Sequence, residues 1–397
     1  MNRVIENRKN NIPLLRFDVF NGAWKTIKLK NIVTFLRGAS ASRSDLKKYG
    51  KFSYIMYGEL FSNYNEIIKD IKSRTDKDIE PKSKYGDILM PSSDVTPTGL
   101  ATASAIFEDG VVLGGDINIL RPTSSDYDSK FLSYLINYHK KDILRLVTGT
   151  TIRHIYISDI KNISYKIPLI LEQKKIGDFL YHIDNYIENL KRQKESLILY
   201  KKSILQKIIF QKIRFKDDSN NNFREWEEKK IGDIFEVTRG YVLAVKDMKK
   251  KQQGEYIYPV FSSQTQNGGL IGFYNQYLYQ DAITWTTDGA NAGDTNFRSG
   301  KFYCTNVCGV LINSSGYSNY FLAELINSIS KKYVSYVGNP KLMNNVMSNI
   351  KLKLPCIQEQ QKISAFLFFL DKDINLKNEQ IDKISNWKNG LLQKMFI

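Results

Sequence analysis

An acidic and a basic residue two positions apart, as in Glu172-Gln173-Lys174, could belong to a nuclease site in which carboxylates hold Mg²⁺. The segment that contains this triplet, EQKKIGDFL, returns later in the chain as EQQKISAFL. The second copy, Glu359-Gln360-Gln361, has glutamine in place of the lysine and could not support the same chemistry. A glutamate in the first turn of a helix is favoured by the helix dipole. We therefore interpret both triplets as the beginnings of two similar helices.

Two cysteines four residues apart, Cys304 and Cys308, have a spacing that metal sites use. A tetrahedral site needs four ligands, however, and the histidines are not clustered near the cysteines: they are His139, His154 and His182. We predict no metal ion here and interpret both cysteines as buried residues of a strand. Together with Cys356 they are too few for a disulfide framework, which fits a reducing compartment.

Side chains that can donate and accept hydrogen bonds at base edges cluster in several predicted loops, and we predict that they contact DNA. In the second half of the chain they are Arg239, Gln264, Gln266, Asn267, Thr286, Thr287, Asn291, Thr295, Asn296, Arg298 and Lys341. In the first half they are Arg37, Arg43, Ser92, Ser93, Thr96, Thr98, Thr151, Arg153 and His154. Asn, Gly and Thr are also common turn formers, so an alternative is that many of these residues only shape the loops.

Motifs of several enzymes that act on DNA or nucleotides are missing from the sequence. It has no Walker A Gly-Lys-Ser/Thr loop for nucleotide phosphates. It also has no Asn-Pro-Pro-aromatic tetrapeptide of the kind that amino-methyltransferases use, because the nearest string, GNPKLMN from Gly338, lacks the second proline and the aromatic ring. We therefore predict a chain without a catalytic site, a metal or a cofactor of its own.

The net charge is strongly positive, at +17, with 58 Lys and Arg against 41 Asp and Glu. This excess predicts an acidic partner, either nucleic acid or an anionic membrane surface. A membrane span needs about 20 consecutive apolar residues, and the densest apolar run, Phe366–Leu370, is followed at once by Asp371 and Lys372. The N-terminal residues lack the apolar stretch of a secretory signal. We expect a cytoplasmic protein that does not enter a membrane.

Two long segments of the chain repeat each other. Residues 168–210 align without a gap on residues 355–397, at an offset of 355 − 168 = 187. A shorter repeat opens each half at an offset of 226 − 24 = 202, where Trp24 matches Trp226 and Arg37-Gly38 matches Arg239-Gly240. Each half therefore consists of an opening segment, a variable cassette and a long helix, and the cassettes differ in length by 202 − 187 = 15 residues.

Each long repeat has the apolar spacing of a coiled-coil helix. Steps of four and three residues define a seam, formed in the first copy by Ile176, Leu180, Ile183, Ile187, Leu190, Leu197 and Ile204, and in the second by Ile363, Leu367, Leu370, Ile374, Ile381, Ile384 and Leu391. We predict that the two helices, each about 60 Å long at roughly 1.5 Å per residue, pack antiparallel on each other. Alternatively, each helix covers its own domain. Lys201 and Lys388, at matched seam positions, either specify the register or extend to the rim.

The two cassettes share a predicted plan of strands and helices. Strands are predicted at YIMYGEL and YIYPVFSSQ, at GDILMPSSD and DAITWTTDG, and at GVVLGGDINIL and FYCTNVCGVLI, followed by helices at FLSYLIN and FLAELIN. The predicted fold class is α+β, with two similar recognition domains joined by an antiparallel coiled coil and related by a pseudo-twofold axis. The predicted boundaries are an N-terminal segment at 1–23, recognition domain 1 at 24–167, a central helix at 168–210, a connector at 211–225, recognition domain 2 at 226–354 and a C-terminal helix at 355–397.

The whole chain resembles the specificity subunits of type I restriction-modification systems. The resemblance rests on the opening segments that end in Arg37-Gly38 and Arg239-Gly240, on the two Pro…EQ.KI..FL helices and on the unlike cassettes between them. DAITWTTDGANAGDTNF and FYCTNVCGVL also look like a recurring type of target recognition domain.

This resemblance implies that each cassette reads one half of a split, asymmetric site on double-stranded DNA, while the helices set the gap. It also implies partners, namely two adenine methyltransferase subunits that carry S-adenosylmethionine, and restriction subunits with ATP- and Mg-dependent motor and nuclease activity. The helices and opening segments would bind these subunits. Two alternatives stay open: a similar subunit of another restriction or defence system, and a non-catalytic basic scaffold that binds RNA or a membrane.

Overall fold

The structure is a computed structural model that describes residues 11–94, 96–263 and 266–397. The chain forms two compact units. Unit 1 comprises Met1–Arg192 and Glu379–Ile397, and unit 2 comprises Gln193–Asn378. Each unit therefore contains one cassette together with a part of each long helix.

The first cassette is a mixture of short strands and short helices. Its strands are β1 Lys25–Lys28, β2 Val33–Arg37, β3 Phe52–Ile55, β4 Arg74–Thr75, β5 Asp87–Pro91, β6 Ser93–Asp94, β7 Ser104–Ile106, β8 Val112–Leu113, β9 Ile117–Pro122, β10 Arg153–His154 and β11 Ser164–Ile167. Its helices are α1 Glu59–Ser62, α2 Pro97–Leu100, α3 Ser129–Tyr138, α4 Lys140–Leu144 and α5 Ile157–Ile160, with 3₁₀ turns at Leu29–Asn31 and Arg43–Asp45.

The long helix α6, Ile170–Ile209, connects the first cassette to the second. The strands of the second cassette are β12 Glu227–Lys230, β13 Glu236–Arg239, β14 Tyr258–Phe261, β15 Leu270–Tyr274, β16 Tyr279–Thr286, β17 Thr295–Cys304, β18 Cys308–Ile312 and β19 Lys351–Leu354. Its helices are α7 Ile231–Ile234, α8 Tyr320–Ser330 and α9 Asn344–Asn349, with 3₁₀ turns at Val245–Asp247, Gln266–Gly269 and Lys331–Tyr333. The second long helix, α10, follows at Ile357–Met395.

The main sheets of the two cassettes have the same strand order. Unit 2 contains a six-stranded sheet in the order β13-β18-β16-β17-β14-β15, and unit 1 contains the sheets β2-β9-β5-β7 and β4-β3-β8. The orders agree because the long strand β17 corresponds to β7 and β8 together. Strand β7 pairs antiparallel with β5 as β17 does with β16, and β8 pairs in parallel with β3 as the end of β17 does with β14. The predicted α+β fold, with two similar cassettes, is confirmed.

The central strands of both sheets are buried on both faces. All five residues of β5, DILMP, are buried, and so are the last five residues of β16. Such strands have nearly continuous apolar sequences because neither face meets water. The predicted strand at YIMYGEL is shorter than expected, since β3 ends at Ile55. A carboxylate oxygen of Glu59 accepts a hydrogen bond from the Met56 backbone N–H at 2.8 Å, and the helix α1 begins at Glu59.

A two-stranded ribbon connects each opening segment to the long helix that follows its cassette. Strands β1 and β11 pair antiparallel with Lys25 opposite Ile167, and β12 and β19 pair with Glu227 opposite Leu354. These registers are equivalent, because 227 − 25 = 202 and 354 − 167 = 187. The tryptophan before each ribbon is buried, and its ring packs edge-on against the first phenylalanine of the next helix in the core, as shown by the pairs Trp24–Phe131 and Trp226–Phe321.

The glutamates that begin the two repeated helix sequences are buried and paired with arginines. The guanidinium of Arg16 donates to Glu172 at 2.8 and 2.6 Å, and that of Arg214 donates to Glu359 at 3.3 and 3.0 Å. Glu172 and Glu359 are only 1% and 0% exposed, so neither carboxylate faces solvent. The repeated glutamate holds the opening segment against the start of the long helix, a structural role that agrees with the interpretation of the triplets as helix beginnings.

The glutamine after each glutamate connects the long helix to the cassette. Gln173 accepts a hydrogen bond from the backbone N–H of Asp128, and Gln360 accepts one from the side-chain amide of Asn319, at 3.0 and 2.8 Å. Asp128 and Asn319 are the N-cap residues of α3 and α8. An N-cap side chain satisfies an otherwise unpaired N–H group of the first helical turn. The repeated Glu-Gln pair therefore fixes both the opening segment and a helix of the recognition domain.

The two long helices run antiparallel, as predicted. In unit 2, Lys201 of α6 binds Asp371 of α10 at 2.9 Å, and seven residues earlier on α6, Lys194 binds Asn378, seven residues later on α10. In unit 1, Lys388 of α10 binds Asp184 of α6 at 2.7 Å.

The seam residues are buried or half-buried in both units. The buried ones are Ile176, Leu180, Ile183, Ile187, Leu190, Ile363, Leu367, Leu370, Ile381 and Leu391. The half-buried ones are Leu197, Ile204, Ile374 and Ile384. Several of them also belong to the cassette cores, because Ile176 and Leu391 share a core with Trp24, and Ile363 shares one with Trp226. Helix pairing and coverage of the cassette, which the sequence presented as alternatives, therefore occur together.

Candidate nucleic-acid interface

In unit 2, two loops that carry predicted DNA contacts are held together with a third loop by backbone hydrogen bonds. Thr287, just after β16, donates its N–H to Val307 in the turn before β18 at 3.0 Å and accepts from Leu342 at 2.9 Å. The segment from Ser335 to Lys341 closes on itself through two backbone bonds of 2.9 Å. The loops after β16, before β18 and before α9 thus form one continuous surface.

Unit 1 has the same backbone frame. Ser92 donates its N–H to Asp116 at 2.7 Å and accepts from Ile155 at 3.0 Å, as Thr287 does in unit 2. Thr148 and His154 close their loop with bonds of 3.0 and 2.8 Å. His154 therefore takes the frame position that Lys341 takes in unit 2. The backbone is shared, while the side chains that it presents differ.

A polar cavity of about 220 Å³ lies beside this frame in unit 2. Four of the predicted DNA contacts line it together: Thr286, Thr295, Asn296 and Arg298. A fifth, Asn291, lies next to it and donates from its amide to the backbone carbonyl of Ser263 at 3.2 Å. Residues that are up to 12 positions apart in the sequence thus meet at one concave polar surface.

The side chain of Arg298 supplies a positive charge to this cavity. Its Nε donates to the Thr284 hydroxyl at 3.0 Å, and its guanidinium carbon lies 3.9 Å from the centre of the Phe261 ring. Burial lowers the pKa of Arg298 to about 10, so the side chain stays protonated at neutral pH. A guanidinium over an aromatic ring can still use its other N–H groups for planar recognition of a base or phosphate.

The predicted contacts of unit 2 differ in exposure. The buried ones are Thr286, Thr287 and Thr295, and the half-buried ones are Asn291 and Arg298. The exposed ones are Arg239, Asn267, Asn296 and Lys341. Gln264 and the side chain of Gln266 lie outside the part of the chain that the structure describes. The exposed side chains can reach a ligand directly, whereas the buried threonines lie beneath the loop surface.

The candidates of unit 1 show a similar division. Ser92 and Ser93 are buried, Arg153 and His154 are half-buried, and the exposed ones are Arg37, Arg43, Thr96, Thr98 and Thr151. Arg153 lies opposite Asp94 in the β10–β6 pair. Its Nε is buried and has no hydrogen-bond partner among the described residues. An unpaired buried donor is costly, so this atom is a natural contact for an acceptor on a ligand.

Sequence reasoning missed a pair of basic loops. After the exposed Arg37 and Arg239, both units form a 3₁₀ turn and then present two exposed lysines, Lys47 and Lys48 in unit 1 and Lys249 and Lys250 in unit 2. These lysines obey the offset of 202 that relates Trp24 to Trp226, so extending the repeat past Gly38 would have found them. No ion pair engages them among the described residues.

Steric crowding explains why a glycine follows Arg37 and another follows Arg239. A Cβ at Gly38 would lie 2.0 Å from the carbonyl oxygen of Gly114, and one at Gly240 would lie 2.2 Å from that of Cys304. Only glycine allows the chain to leave β2 or β13 so close to a neighbouring backbone.

Cys304 ends β17 and Cys308 begins β18, and both are buried. Burial raises the pKa of both thiols, that of Cys308 to about 11. Among the described residues, no group of three or more His, Cys, Asp and Glu side chains is placed to hold a metal ion.

A family model described as the type I restriction modification DNA specificity domain matches residues 21–199 and 224–386. The chain belongs to this family. It contains two specificity domains, which correspond to the two sequence repeats. The resemblance inferred from the opening segments and the repeated helices is therefore confirmed.

Curated relatives of similar sequence carry the same kind of name, and a solved structure has a similar fold. A Mycoplasma pneumoniae protein named as a type I specificity subunit is 36% identical over 177 residues, which cover 41% of this chain and 57% of that relative. The match thus spans little more than half of the relative's length. A Methanocaldococcus jannaschii protein named as a type I restriction enzyme specificity subunit is 23% identical over 403 residues, covering 93% of this chain and 92% of its own. The crystal structure of a type I restriction-modification S subunit from M. genitalium matches with a TM-score of 0.70 at 18% identity, over 97% of this chain and 99% of that one.

Within the described part of the chain, no helix combines the length and the apolarity that crossing a membrane requires.

Proposed function

We propose that this chain is the DNA-recognition subunit of a type I restriction-modification complex, and that each specificity domain reads one half of a split, asymmetric site on double-stranded DNA. The observation that carries the proposal is the shared backbone frame with unlike side chains. Ser92, Asp116 and His154 in unit 1 stand where Thr287, Val307 and Lys341 stand in unit 2. Two readers built on one frame but presenting different donors and acceptors suit two different base sequences.

Phosphate contacts provide the sequence-independent part of binding. The net charge of +17 and the paired loops at Lys47-Lys48 and Lys249-Lys250 supply cations at equivalent positions of both domains. Neutralising phosphates releases counterions, so affinity falls steeply with salt. Replacing these four lysines with glutamine should lower the slope of log K against log salt by about 0.9 for each phosphate that is no longer neutralised. An unchanged slope would exclude these loops as phosphate-binding elements.

The antiparallel helices serve as the spacer between the two readers. Two readers on one face of a duplex favour centres about 34 Å, or one helical turn, apart. Helices α6 and α10, of 40 and 39 residues, are long enough for this role. In this proposal the helix pair sets the gap between the two half-sites, and the loops determine which bases are read.

Catalysis belongs to partner subunits in this proposal. Two adenine methyltransferase subunits would supply S-adenosylmethionine, and restriction subunits would supply the ATP- and Mg-dependent activities, in the cytoplasm. A repeated surface supports two copies of one partner. Tyr200 and Trp387 are equivalent at the offset of 187, and they are 50% and 53% exposed. Exposed aromatic side chains of this size are typical of protein–protein contacts.

The recognition role is tested with the exposed loop residues of unit 2. Replacing Asn267, Asn296 and Lys341 together with alanine should abolish selection of one half of the site and leave the other half intact. The motif is obtained by mapping methylated adenines in cells with and without the chain. Residues of the same types outside the loop surface, Asn345, Asn349 and Lys351, provide the matched control variant. An unchanged motif in the loop variant, or the absence of any motif that depends on the chain, would contradict the proposal.

Partner binding is tested separately. Tyr200→Ala and Trp387→Ala should each remove one methyltransferase copy from the complex, and the double variant should remove both. Native mass spectrometry of the purified complex gives the stoichiometry. Leu199→Ala, which alters an exposed apolar side chain next to Tyr200, is the control. Full occupancy in the double variant would show that the partners bind elsewhere.

A further inference from the structure

The Lys388–Asp184 pair of unit 1 belongs to a larger polar cluster. Lys388 Nζ lies 3.7 Å from a carboxylate oxygen of Glu66 and 5.1 Å from the centre of the Tyr134 ring. The Tyr134 hydroxyl donates to Asp184 at 2.5 Å. The lysine side chain is 13% exposed, so the ammonium group is largely removed from water. One Lys, one Asp, one Glu and one Tyr therefore satisfy one another.

Unit 2 contains a cluster of the same composition. Lys201 Nζ binds Asp371 and Glu324 at 2.9 Å each and donates to the Tyr320 hydroxyl at 2.8 Å. The Tyr320 hydroxyl also contacts Asp371. The lysine side chain is 17% exposed. Lysine and aspartate are equivalent in the two units, because 388 − 201 and 371 − 184 both equal 187.

The glutamate and the tyrosine, in contrast, come from the cassettes and from different places in them. Helices α3 and α8 contain the equivalent sequences FLSYLIN and FLAELIN, which place Tyr134 and Glu324 at the same position. In unit 1 the glutamate comes instead from Glu66, in the segment after α1, and in unit 2 the tyrosine comes from Tyr320, the first residue of α8. One shared helix position thus supplies the phenol in unit 1 and the carboxylate in unit 2, and the other group comes from an unrelated position, while the composition of the cluster is unchanged.

General packing does not explain why the two clusters have the same composition. A buried hydrophobic contact would be satisfied by many side chains, whereas a buried lysine beside one aspartate needs further polar partners. Removing one partner from such a group leaves an uncompensated charge or donor, which is strongly destabilising. The cassettes have met the same requirement of the helix pair in two ways.

The cluster also has a geometric consequence. Asp128 and Tyr134, six residues apart and so about 9 Å along α3, contact Gln173 and Asp184 of the long helix α6. In α8, Asn319 and Glu324 contact Gln360 of α10 and Lys201 of α6. One helix of each recognition domain is attached at two points, which fixes its direction relative to the long helices of its own unit.

We infer that each cluster is a joint that orients a recognition domain on its helix pair, and that Lys388, Asp184, Glu66 and Tyr134, with their counterparts Lys201, Asp371, Glu324 and Tyr320, are positioning residues for DNA reading. This inference deepens the proposed function and rests on it, because orientation matters only if the domain reads DNA. It also states what a cassette must supply at this joint, namely one carboxylate and one phenol, from any element that reaches the lysine.

Two matched variants of the full-length chain test the joint. The first combines Lys388→Met, Asp184→Leu, Glu66→Met and Tyr134→Phe, and the second combines Lys201→Met, Asp371→Leu, Glu324→Met and Tyr320→Phe. Replacing a whole buried ionic group with apolar residues is often neutral or stabilising, so both variants should fold. Each is used in a binding selection from randomised duplex DNA beside the wild-type chain.

The first variant should lose sequence preference in one half of the selected motif, and the second variant in the other half. The affinity of each for the wild-type site should fall by roughly tenfold to a hundredfold, the effect of about one misread base pair. If both variants selected the wild-type motif with wild-type affinity, the inference that the clusters orient the recognition domains would be wrong. A wild-type chain that selects no motif would instead overturn the proposed function, which separates the two failures.

A milder pair of variants keeps the test independent of folding. Tyr134→Phe and Tyr320→Phe each remove one hydroxyl and keep the ring over the lysine. Hydrogen exchange of the full chain should then accelerate about tenfold in α3 for the first and in α8 for the second, with the other helix unchanged. Hydrogen-exchange rates within about twofold of wild type in both helices would also contradict the inference that the clusters orient the recognition domains.

Discussion

The loop from Thr148 to His154 in unit 1 and the loop from Ser335 to Lys341 in unit 2 close with the same pair of backbone hydrogen bonds. The loop of unit 1 carries Ile152 and Arg153 where that of unit 2 carries Asn339 and Pro340, and the residues at each position differ in size and polarity. The same contrast holds along the chain. Residues of the long helices themselves, such as Asp184 and Asp371, repeat at a fixed offset, whereas the side chains at the frame positions of the loops differ.

A second contrast concerns the length of the cassettes. The first cassette has 88 − 55 = 33 residues between Ile55 and Ile88, and the second has 283 − 261 = 22 between the equivalent positions Phe261 and Ile283. The longer segment of unit 1 supplies Glu66 to the joint. It also supplies Lys69, which binds Glu188 of α6 at 3.1 Å. Shared contacts should therefore give equal mutational effects in the two units, and contacts of this segment should affect unit 1 alone.

The largest shared effect is expected at the arginines of the opening segments. Arg16→Met and Arg214→Met each leave a buried glutamate, Glu172 or Glu359, without its cation. We expect each variant to lose about 3–5 kcal/mol of unfolding free energy, since an uncompensated buried charge is left behind. Denaturant titration of the full chain measures it. A loss confined to one unit would show that the two pairs are not equivalent.

A smaller shared effect is expected at Gly38 and Gly240. Alanine at either position places a Cβ within 2.0–2.2 Å of a backbone carbonyl oxygen, and we expect a loss of about 1–3 kcal/mol from overpacking. Gly390→Ala is the control, because its Cβ would meet nothing within 4 Å and alanine favours the interior of α10 by about 1 kcal/mol. Thermal unfolding should separate the two destabilised variants from the stabilised one.

Glu66 should give unit 1 a pH dependence of its own. Burial raises the pKa of this carboxyl above its ordinary value, so the folded chain binds the proton more tightly than the unfolded chain does. The contribution of Glu66 to the unfolding free energy therefore falls as the pH rises through the interval from the ordinary to the raised pKa. Glu66→Gln should flatten this slope in unfolding measured from pH 4.5 upwards. Parallel curves for wild type and variant would contradict the assignment.

The smallest effect is expected at the surface contact of the longer segment. Arg192 lies 3.4 Å from Asp70, and their side chains are 64% and 72% exposed. Exposed ion pairs contribute about 0–1 kcal/mol, so Asp70→Asn should change the unfolding free energy by no more than that. A larger loss would mean that this segment supports the helix pair more strongly than its exposure indicates.

Much of the fold could be predicted from the sequence, because repeats and heptads are local or pairwise signals. The offset of 187 identified equivalent helices, and the apolar steps at Ile176, Leu180 and Ile183 identified the face that is buried. The candidate site was less accessible. Whether Thr286 is buried and Asn296 exposed depends on strand pairing across the sheet, and no short-range pattern encodes that pairing. The lysines at 47 and 249 were within reach, because they obey the repeat.

The sequence by itself determined that the chain has two similar halves, where the long helices lie and which loops differ. Only the tertiary structure decided which residues meet. Glu66 and Tyr134 are 68 residues apart, and Lys388 lies far beyond both, yet they form one cluster because the desolvated ammonium group must find polar partners wherever the fold brings them. An offset can show that Lys388 and Lys201 are equivalent, but it cannot show that each cassette supplies a carboxylate and a phenol to them from different elements.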